Sequence, residues 1–187
     1  MGTKFSTRVW VSVVGIASIF FGSKGYADTV ISVADFGLKP DTRENAVAYV
    51  QKAIEACRGK EPVTLVFPEG RYDFWPQYAH EKNYYETNTY DVFPKRLAML
   101  FEGLHNITVD GNGSQFVMHD RIQPITVENC DGVTLKNFSI DWDIPLTAQA
   151  RVTKVGSDFF EIEINVLESP YIIEDGKLVF VGEGWKS

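Results

Sequence analysis

The sequence predicts a mostly β fold: a right-handed parallel β-helix, with N-terminal coils and a capping helix, followed by the start of an antiparallel β-barrel-like insertion. Two observations predict the β-helix coils and the antiparallel strands after them: a repeat between residues 99–109 and 125–135, and a change to longer alternating strands after Pro145. Repeats of about 20 to 50 residues are typical of solenoids, whose coils stack around a shared interior. We therefore expect the β-helix at residues 28–147 and a truncated inserted β domain at residues 148–187.

The composition indicates a folded, acidic protein. The chain has 187 residues, of which 44% are hydrophobic, and its 18 basic and 25 acidic side chains give a net charge of −7. This apolar content is enough to bury a core. The acidic balance argues against nucleic acid or an anionic membrane surface as a partner.

The first 27 residues resemble a secretory signal peptide. Lys4 and Arg8 precede an apolar run at residues 9–21, and Gly25 and Ala27 place small residues at a cleavage site. We expect cleavage near Ala27 and export to the periplasm or exterior, without later membrane association. The alternative, an uncleaved anchor, is disfavoured because the run is shorter than the ~18 residues that a membrane helix needs.

The entry to the predicted β-helix contains a helix between short strands. Asp41 and Glu44 match a capping box, and apolar residues recur at helical spacing as far as Cys57, which predicts a helix at about 42–57. Gly59 can end it in the left-handed conformation. Strands are expected at residues 30–36, 63–67 and 71–74.

A long aromatic segment at residues 72–93 has neither helical nor strand periodicity. Rings beside amide and carboxylate groups suit sugars, because the C–H faces of a sugar pack on rings while its hydroxyls form hydrogen bonds. A self-packed loop that covers the core is an equally good interpretation.

The repeat has an offset of 26 residues, and each copy reads as strand, turn, strand. We expect a corner with positive φ at residues 110–113, where Asp-Gly-Asn-Gly stands. The expected inward-facing residues are Leu104, Ile107, Val109, Phe116, Val127, Cys130, Val133, Leu135 and Phe138.

Cysteine and histidine spacing predicts no metal site. Cys57 and Cys130 lie in different elements, so two separate buried thiols are favoured over a disulfide, although an oxidising compartment would permit pairing. The three histidines are scattered.

After Pro145 the sequence predicts antiparallel strands at residues 149–155, 159–166 and 177–181, with turns at 156–158 and 174–176. Two recognisable coils are fewer than the ~3 that a stable solenoid needs. We therefore expect the chain to be the front of a longer protein.

Two sets of motifs carry a resemblance to known families. Residues 33–37 (VADFG), 51–54 (QKAI) and 66–72 (VFPEGRY) resemble the entry segment of pectate-lyase-like right-handed β-helix carbohydrate enzymes. Residues 71–76 (RYDFWP), 119–124 (HDRIQP) and 137–149 (NFSIDWDIPLTAQ) resemble bacterial α-1,3-galactosidases of glycoside hydrolase family 110.

The second resemblance implies an exported, inverting exo-enzyme that removes terminal α-1,3-linked galactose, as on blood group B glycans, without a nucleotide or metal cofactor. It also implies that the catalytic aspartates lie in later coils, downstream of Ser187, so that this chain alone is inactive.

The candidate substrate-binding residues combine carboxylates, donors and rings. Asp141 and Asp143 point to the same face of a strand, but a strand-end turn is an equally good interpretation. Arg121 and Asp120 would bind galactose hydroxyls, although an exposed corner with an internal ion pair is favoured. The full set is Trp75, His119, Asp120, Arg121, Asp141, Trp142 and Asp143.

Two other functions stay open from the sequence. One is another β-helix polysaccharide-degrading enzyme, such as a lyase or polygalacturonase, and the other is a non-catalytic glycan-binding β-helix adhesin. Fold alone does not choose among these classes.

Overall fold

A computed structural model describes residues 29–83 and 94–187. The predicted signal peptide at residues 1–27 lies outside the described residues, and so does the 84–93 part of the aromatic segment. No helix in the described ranges is long and apolar enough to cross a membrane.

The described chain is mostly strand, with one α-helix and one short 3-10 helix at Val33–Phe36. The helix α1 covers Val47–Cys57. The strands are β1 (Thr29–Ser32), β2 (Val63–Val66), β3 (Arg71–Phe74), β4 (His80–Lys82), β5 (Lys95–Glu102), β6 (His105–Met118), β7 (Gln123–Glu128), β8 (Asp131–Trp142), β9 (Arg151–Val155), β10 (Phe160–Glu163), β11 (Tyr171–Glu174) and β12 (Lys177–Phe180).

The strands form four sheets among the described residues. In the largest, β2 and β3 pair in parallel with successive halves of β6, β8 pairs with the other edge of β6, and β1 pairs with β2. In the second sheet, β5 lies between antiparallel β4 and parallel β7. The other two sheets are the hairpins β9–β10 and β11–β12.

The predicted right-handed parallel β-helix is wrong as a fold class. The sheets are small, with five, three, two and two strands, and they do not continue into a solenoid. Stacking of the predicted repeat ends at β7 and β8, whose outer edges pair with no strand in the part of the chain that the structure describes. Two stacked copies are too few to build the continuous interior of a solenoid.

The 26-residue offset itself is confirmed as a register between strands. Met99 pairs with Ile125 between β5 and β7. His105 pairs with Asp131, and Val109 with Leu135, between β6 and β8. The positive φ predicted for the intervening corner occurs at Asn112 and Gly113. The repeated apolar pattern therefore identified strand partners correctly.

Burial follows the position of each strand in its sheet. Of the predicted inward residues, Leu104, Ile107, Val109 and Phe116 are buried, whereas Cys130, Val133 and Phe138 are half-buried against the core. Val127 and Leu135 were predicted wrongly, being 46% and 39% exposed. They lie on β7 and β8, the outermost strands of their sheets, so less of the structure covers them.

The helix begins later than predicted, at Val47 instead of residue 42. Asp41 has a φ of 61° and binds Arg71 instead, with its Oδ1 accepting from the Arg71 amide at 3.0 Å. Ala46 is the N-cap residue, and just before it the Asn45 Oδ1 accepts from the Val47 amide at 3.1 Å. Gly59 has the predicted left-handed conformation, with a φ of 74°.

The two cysteines are free, as favoured from the sequence. Cys57 is buried on α1, and burial raises the pKa of its thiol to about 11. Cys130 is half-buried, and its Sγ lies 3.3 Å from the Phe101 carbonyl oxygen.

The hairpins occupy the segment expected to hold antiparallel strands. β9, β10 and β12 lie within the predicted ranges, whereas β11 was missed. Asp175 and Gly176, with φ of 50° and 72°, form the turn between β11 and β12. Two positive φ values suit a tight hairpin turn.

Candidate functional site

A buried charge network lies where β3 and β6 run side by side. Asp73 is the third residue of β3, and His119 follows the last residue of β6. Phe74, which follows Asp73, pairs with Met118, which precedes His119. The side chains of Asp73 and His119 therefore meet at the same end of the sheet. Asp73 is 1% exposed and His119 is 2% exposed.

The His119 ring lies between two carboxylates. Its Nε2 is 2.8 Å from Oδ1 of Asp73, and its Nδ1 is 2.7 Å from Oε1 of Glu183. The indole of Trp75 stacks on the imidazole with a centroid separation of 3.5 Å. An ionised carboxylate only accepts hydrogen bonds, so the imidazolium form, which donates from both nitrogens, satisfies both partners.

Arg71 connects the buried and exposed carboxylates. Its Nη2 donates to Asp73 Oδ1 at 2.6 Å and to Asp143 Oδ1 at 2.7 Å, while its Nε donates to Asp73 Oδ2 at 3.0 Å. The exposed Arg43 adds a guanidinium within 3.8 Å of Asp73 and 3.7 Å of Asp143. Three carboxylates thus face two guanidiniums and an imidazole.

The network stabilises the ionised form of Asp73. Burial alone would raise the pKa of its carboxyl, but hydrogen bonds from Arg71 and His119 outweigh burial and hold the pKa below its ordinary value of 3.8. A group that accepts several charge-assisted hydrogen bonds stays ionised in this way.

The lowered pKa of Asp73 predicts a loss of stability in acid. A carboxylate with a depressed pKa stabilises the fold at pH values above its unfolded pKa, and this contribution disappears as the pH falls through the folded pKa. When the pH is lowered from about 5 to about 3, the free energy of unfolding measured with urea should fall more for the unmodified chain than for Asp73→Asn. Equal losses in the two proteins would contradict this assignment.

Three side chains of this network have ligand atoms close enough to one another to hold a metal ion. Ligand atoms of His119, Asp143 and Glu183 all lie within 4.8 Å of one another. However, Arg71 already lies 2.7 Å from Asp143 and supplies the positive charge there. The expectation that the protein needs no metal stays a prediction.

A cavity of about 470 Å³ lies beside the network. Two indoles line it, those of Trp142 and Trp185, together with basic side chains that include Arg96 and Arg121. Trp142 is the last residue of β8, and its Nε1 donates to the Asp120 carbonyl oxygen at 3.3 Å. Aromatic rings with a few convergent donors are typical of small-molecule sites.

The structure divides the residues predicted from the sequence into groups. Trp75, His119 and Asp143 belong to the charge network, whereas Arg121 and Trp142 line the cavity.

Asp120 joins the two regions through its backbone. Its amide donates to Oε2 of Glu183 at 3.2 Å, and its carbonyl accepts from Trp142. Asp141 is exposed, and its Oδ1 accepts from the neighbouring Trp142 amide at 2.8 Å. Asp143 instead binds Arg71, so Asp141 and Asp143 do not share one environment.

The residues of these regions that were absent from the predicted set include Arg71, Asp73, Glu183 and Trp185. Arg71 and Asp73 lie in a motif that the sequence analysis singled out, and their spacing of two along a strand was the available signal. Glu183 and Trp185 follow the last strand, and no periodic pattern marks them.

Comparison with known proteins adds independent findings. Residues 148–187 match the family GLAA-B beta-barrel domain I. Alpha-1,3-galactosidase B of Bacteroides thetaiotaomicron is 62% identical over 161 residues, which cover 86% of this chain and 26% of that protein. Alpha-1,3-galactosidase A of Shewanella woodyi is 37% identical over 84% of this chain and 26% of that protein. Alpha-1,3-galactosidase B of Phocaeicola vulgatus is 36% identical over 96% of this chain and 29% of that protein.

The chain therefore spans between a quarter and three-tenths of the length of these curated relatives. The matched family is a β-barrel domain, and it covers residues 148–187, the segment for which the sequence predicted the start of a β-barrel-like insertion.

Proposed function

Since the chain belongs to the family of the bacterial α-1,3-galactosidases, we propose that it is part of a longer, exported glycoside hydrolase that removes terminal α-1,3-linked galactose. The observation that carries this proposal is the 62% identity to one such enzyme over 86% of the chain. The partner is a glycan with terminal α-galactose, including blood group B structures. The reaction inverts the anomeric configuration and uses no nucleotide or metal cofactor.

The charges of the network support a structural and binding role for this part of the enzyme. Inverting hydrolysis needs one carboxylic acid and one carboxylate about 6.5 to 9.5 Å apart, with room for a water molecule. Asp73 and Asp143 are held by Arg71, and Glu183 is held by His119. Hydrogen bonds from Arg71 and His119 lower the pKa of the Asp73 carboxyl, so this group is a poor proton donor. On the similarity to the α-1,3-galactosidases, we place the two reacting carboxylates downstream of Ser187 and expect the 187-residue chain alone to be inactive.

The cavity is the place where this chain contacts galactose in our proposal. The ring of Trp142 packs on the C–H face of the sugar, and Arg121 donates to its hydroxyl oxygens. Trp75, His119 and Asp143 support this wall from the charge network. Asp120 carries the backbone contacts that link the two regions.

The test is galactose release from an α-1,3-linked galactoside, followed by proton NMR. We expect the full-length enzyme to release β-galactose first, since inversion converts the α-linked substrate into the β-anomer. The 187-residue chain should release none. Initial α-galactose would refute inversion, and release by the chain alone would refute the downstream placement of the reacting carboxylates.

A further inference from the structure

Trp185 forms a rigid part of the cavity wall. It is 9% exposed, and its carbonyl oxygen accepts from the Gly182 amide at 2.9 Å. Its indole Nε1 is buried and has no hydrogen-bond partner among the described residues. The position of the ring therefore depends on packing and not on a hydrogen bond from the indole. A Cβ added at Gly182 would fall 2.2 Å from Nε1 and from Cε2, which leaves no space for a side chain there.

The charge network fixes the same segment from the other side. Glu183 lies between Gly182 and Trp185 in sequence, and its carboxylate binds both His119 and the Asp120 amide. A Cβ added at Gly184 would lie 2.2 Å from Oδ2 of Asp120. Because the Asp120 carbonyl also accepts from the Trp142 indole, Asp120 connects Trp142 to the segment that contains Trp185.

The remaining lining of the cavity is rich in donors. Arg96, Arg121 and Gln123 contribute guanidinium and amide groups, and among the described residues no Asp or Glu belongs to the lining. Such donors suit a ligand that offers oxygen acceptors, and the indoles suit one with C–H faces. The volume of about 470 Å³ lies within the ~300 to 1,000 Å³ typical of ligand sites.

From these contacts we propose that Trp185 and Trp142 together form a pyranose-binding subsite that holds a galactoside between them. The choice of galactose rests on the function proposed above, while the two-indole site rests on the cavity itself. The His119–Glu183 pair positions Trp185 and does not touch the sugar.

The test is a titration of the 187-residue chain with methyl α-galactopyranoside, followed by tryptophan fluorescence and by saturation-transfer NMR. We expect saturable binding, and we expect Trp142→Ala and Trp185→Ala each to weaken it about tenfold, which corresponds to roughly 1.4 kcal/mol. Circular dichroism checks that each variant is folded, and Trp185→Phe, which keeps a ring, should retain most of the affinity.

Gly182→Ala tests the subsite without removing any lining side chain. It should displace the Trp185 ring and weaken binding about as much as Trp185→Ala. Gly156→Ala is the matched control, because a Cβ there would lie 2.3 Å from Phe159, in the β9–β10 hairpin and outside the cavity lining. It should leave binding unchanged.

Saturable binding that is unaffected by Trp142→Ala, Trp185→Ala and Gly182→Ala would overturn the subsite, and so would a lack of binding. These results are distinguishable from failure of the proposed function. If the full-length enzyme releases no galactose but the chain binds the galactoside through both indoles, the subsite stands and the hydrolase proposal fails.

Discussion

Replacing Asp73 with alanine is expected to lower the free energy of unfolding of the chain by about 3 to 5 kcal/mol, the usual effect of breaking a buried ion pair. The carboxylate is 1% exposed and accepts hydrogen bonds from Arg71 and His119. Its removal leaves the imidazole and the guanidinium without their shared acceptor in a site with little access to water. Urea denaturation followed by circular dichroism measures the change.

Asp141→Ala is the matched control for this experiment. Asp141 is exposed, and its hydrogen bond is to its own neighbour, Trp142. Exposed side chains of this kind contribute little, so the control should change the free energy of unfolding by less than about 1 kcal/mol. If Asp73→Ala costs no more than this control, the network is not a source of stability.

Phe116→Ala is expected to cost about 3 to 5 kcal/mol, the range for truncating a buried phenylalanine. Phe116 is fully buried on β6, and its ring centroid lies 4.7 Å from that of Phe67, 5.6 Å from that of Phe74 and 4.8 Å from that of Phe138. The substitution removes packing from β3, from β8 and from Phe67, which follows β2, and it leaves a cavity. Thermal and urea unfolding both report the loss.

Phe160→Ala provides the comparison in a strand of the β9–β10 hairpin. Phe160 is 66% exposed, so its truncation removes little buried area and should cost less than about 1 kcal/mol. Similar losses for Phe116→Ala and Phe160→Ala would contradict the location of the core around β6.

The sequence predicted strand partners better than it predicted the fold class. Matched apolar positions specify register, because a slip of one residue moves every side chain to the other face of the sheet. This is why the pairs Met99–Ile125 and Val109–Leu135 could be expected. The number of stacked copies and the division into four small sheets are tertiary properties, and two repeats did not constrain them.

The charge network shows what local patterns omit. His119 was among the predicted site residues, but its partners Asp73 and Glu183 lie 46 and 64 residues away in sequence. Their contacts depend on how β3 lies beside β6 and on where the segment after β12 lies. Spacing within one motif contains no information about such pairs. Arg121 and Trp142 could be selected because they lie in the segments HDRIQP and NFSIDWDIPLTAQ, which resemble the α-1,3-galactosidases.

The helix start illustrates a competing local interaction. Asp41 and Glu44 had the spacing of a capping box, but Asp41 exchanges backbone and side-chain hydrogen bonds with Arg71 instead. A tertiary contact thereby replaced the local cap, and the helix begins at Val47, whose amide donates to the Asn45 side chain.

The most direct test of the central proposal is linkage specificity in the full-length enzyme. Galactose release should be measured at equal concentrations of α-1,3-, α-1,4- and α-1,6-linked galactobioside. We expect rapid release from the α-1,3-linked sugar and little from the other two. Equal release from all three, or no release from the α-1,3-linked sugar by folded enzyme, would contradict an α-1,3-galactosidase.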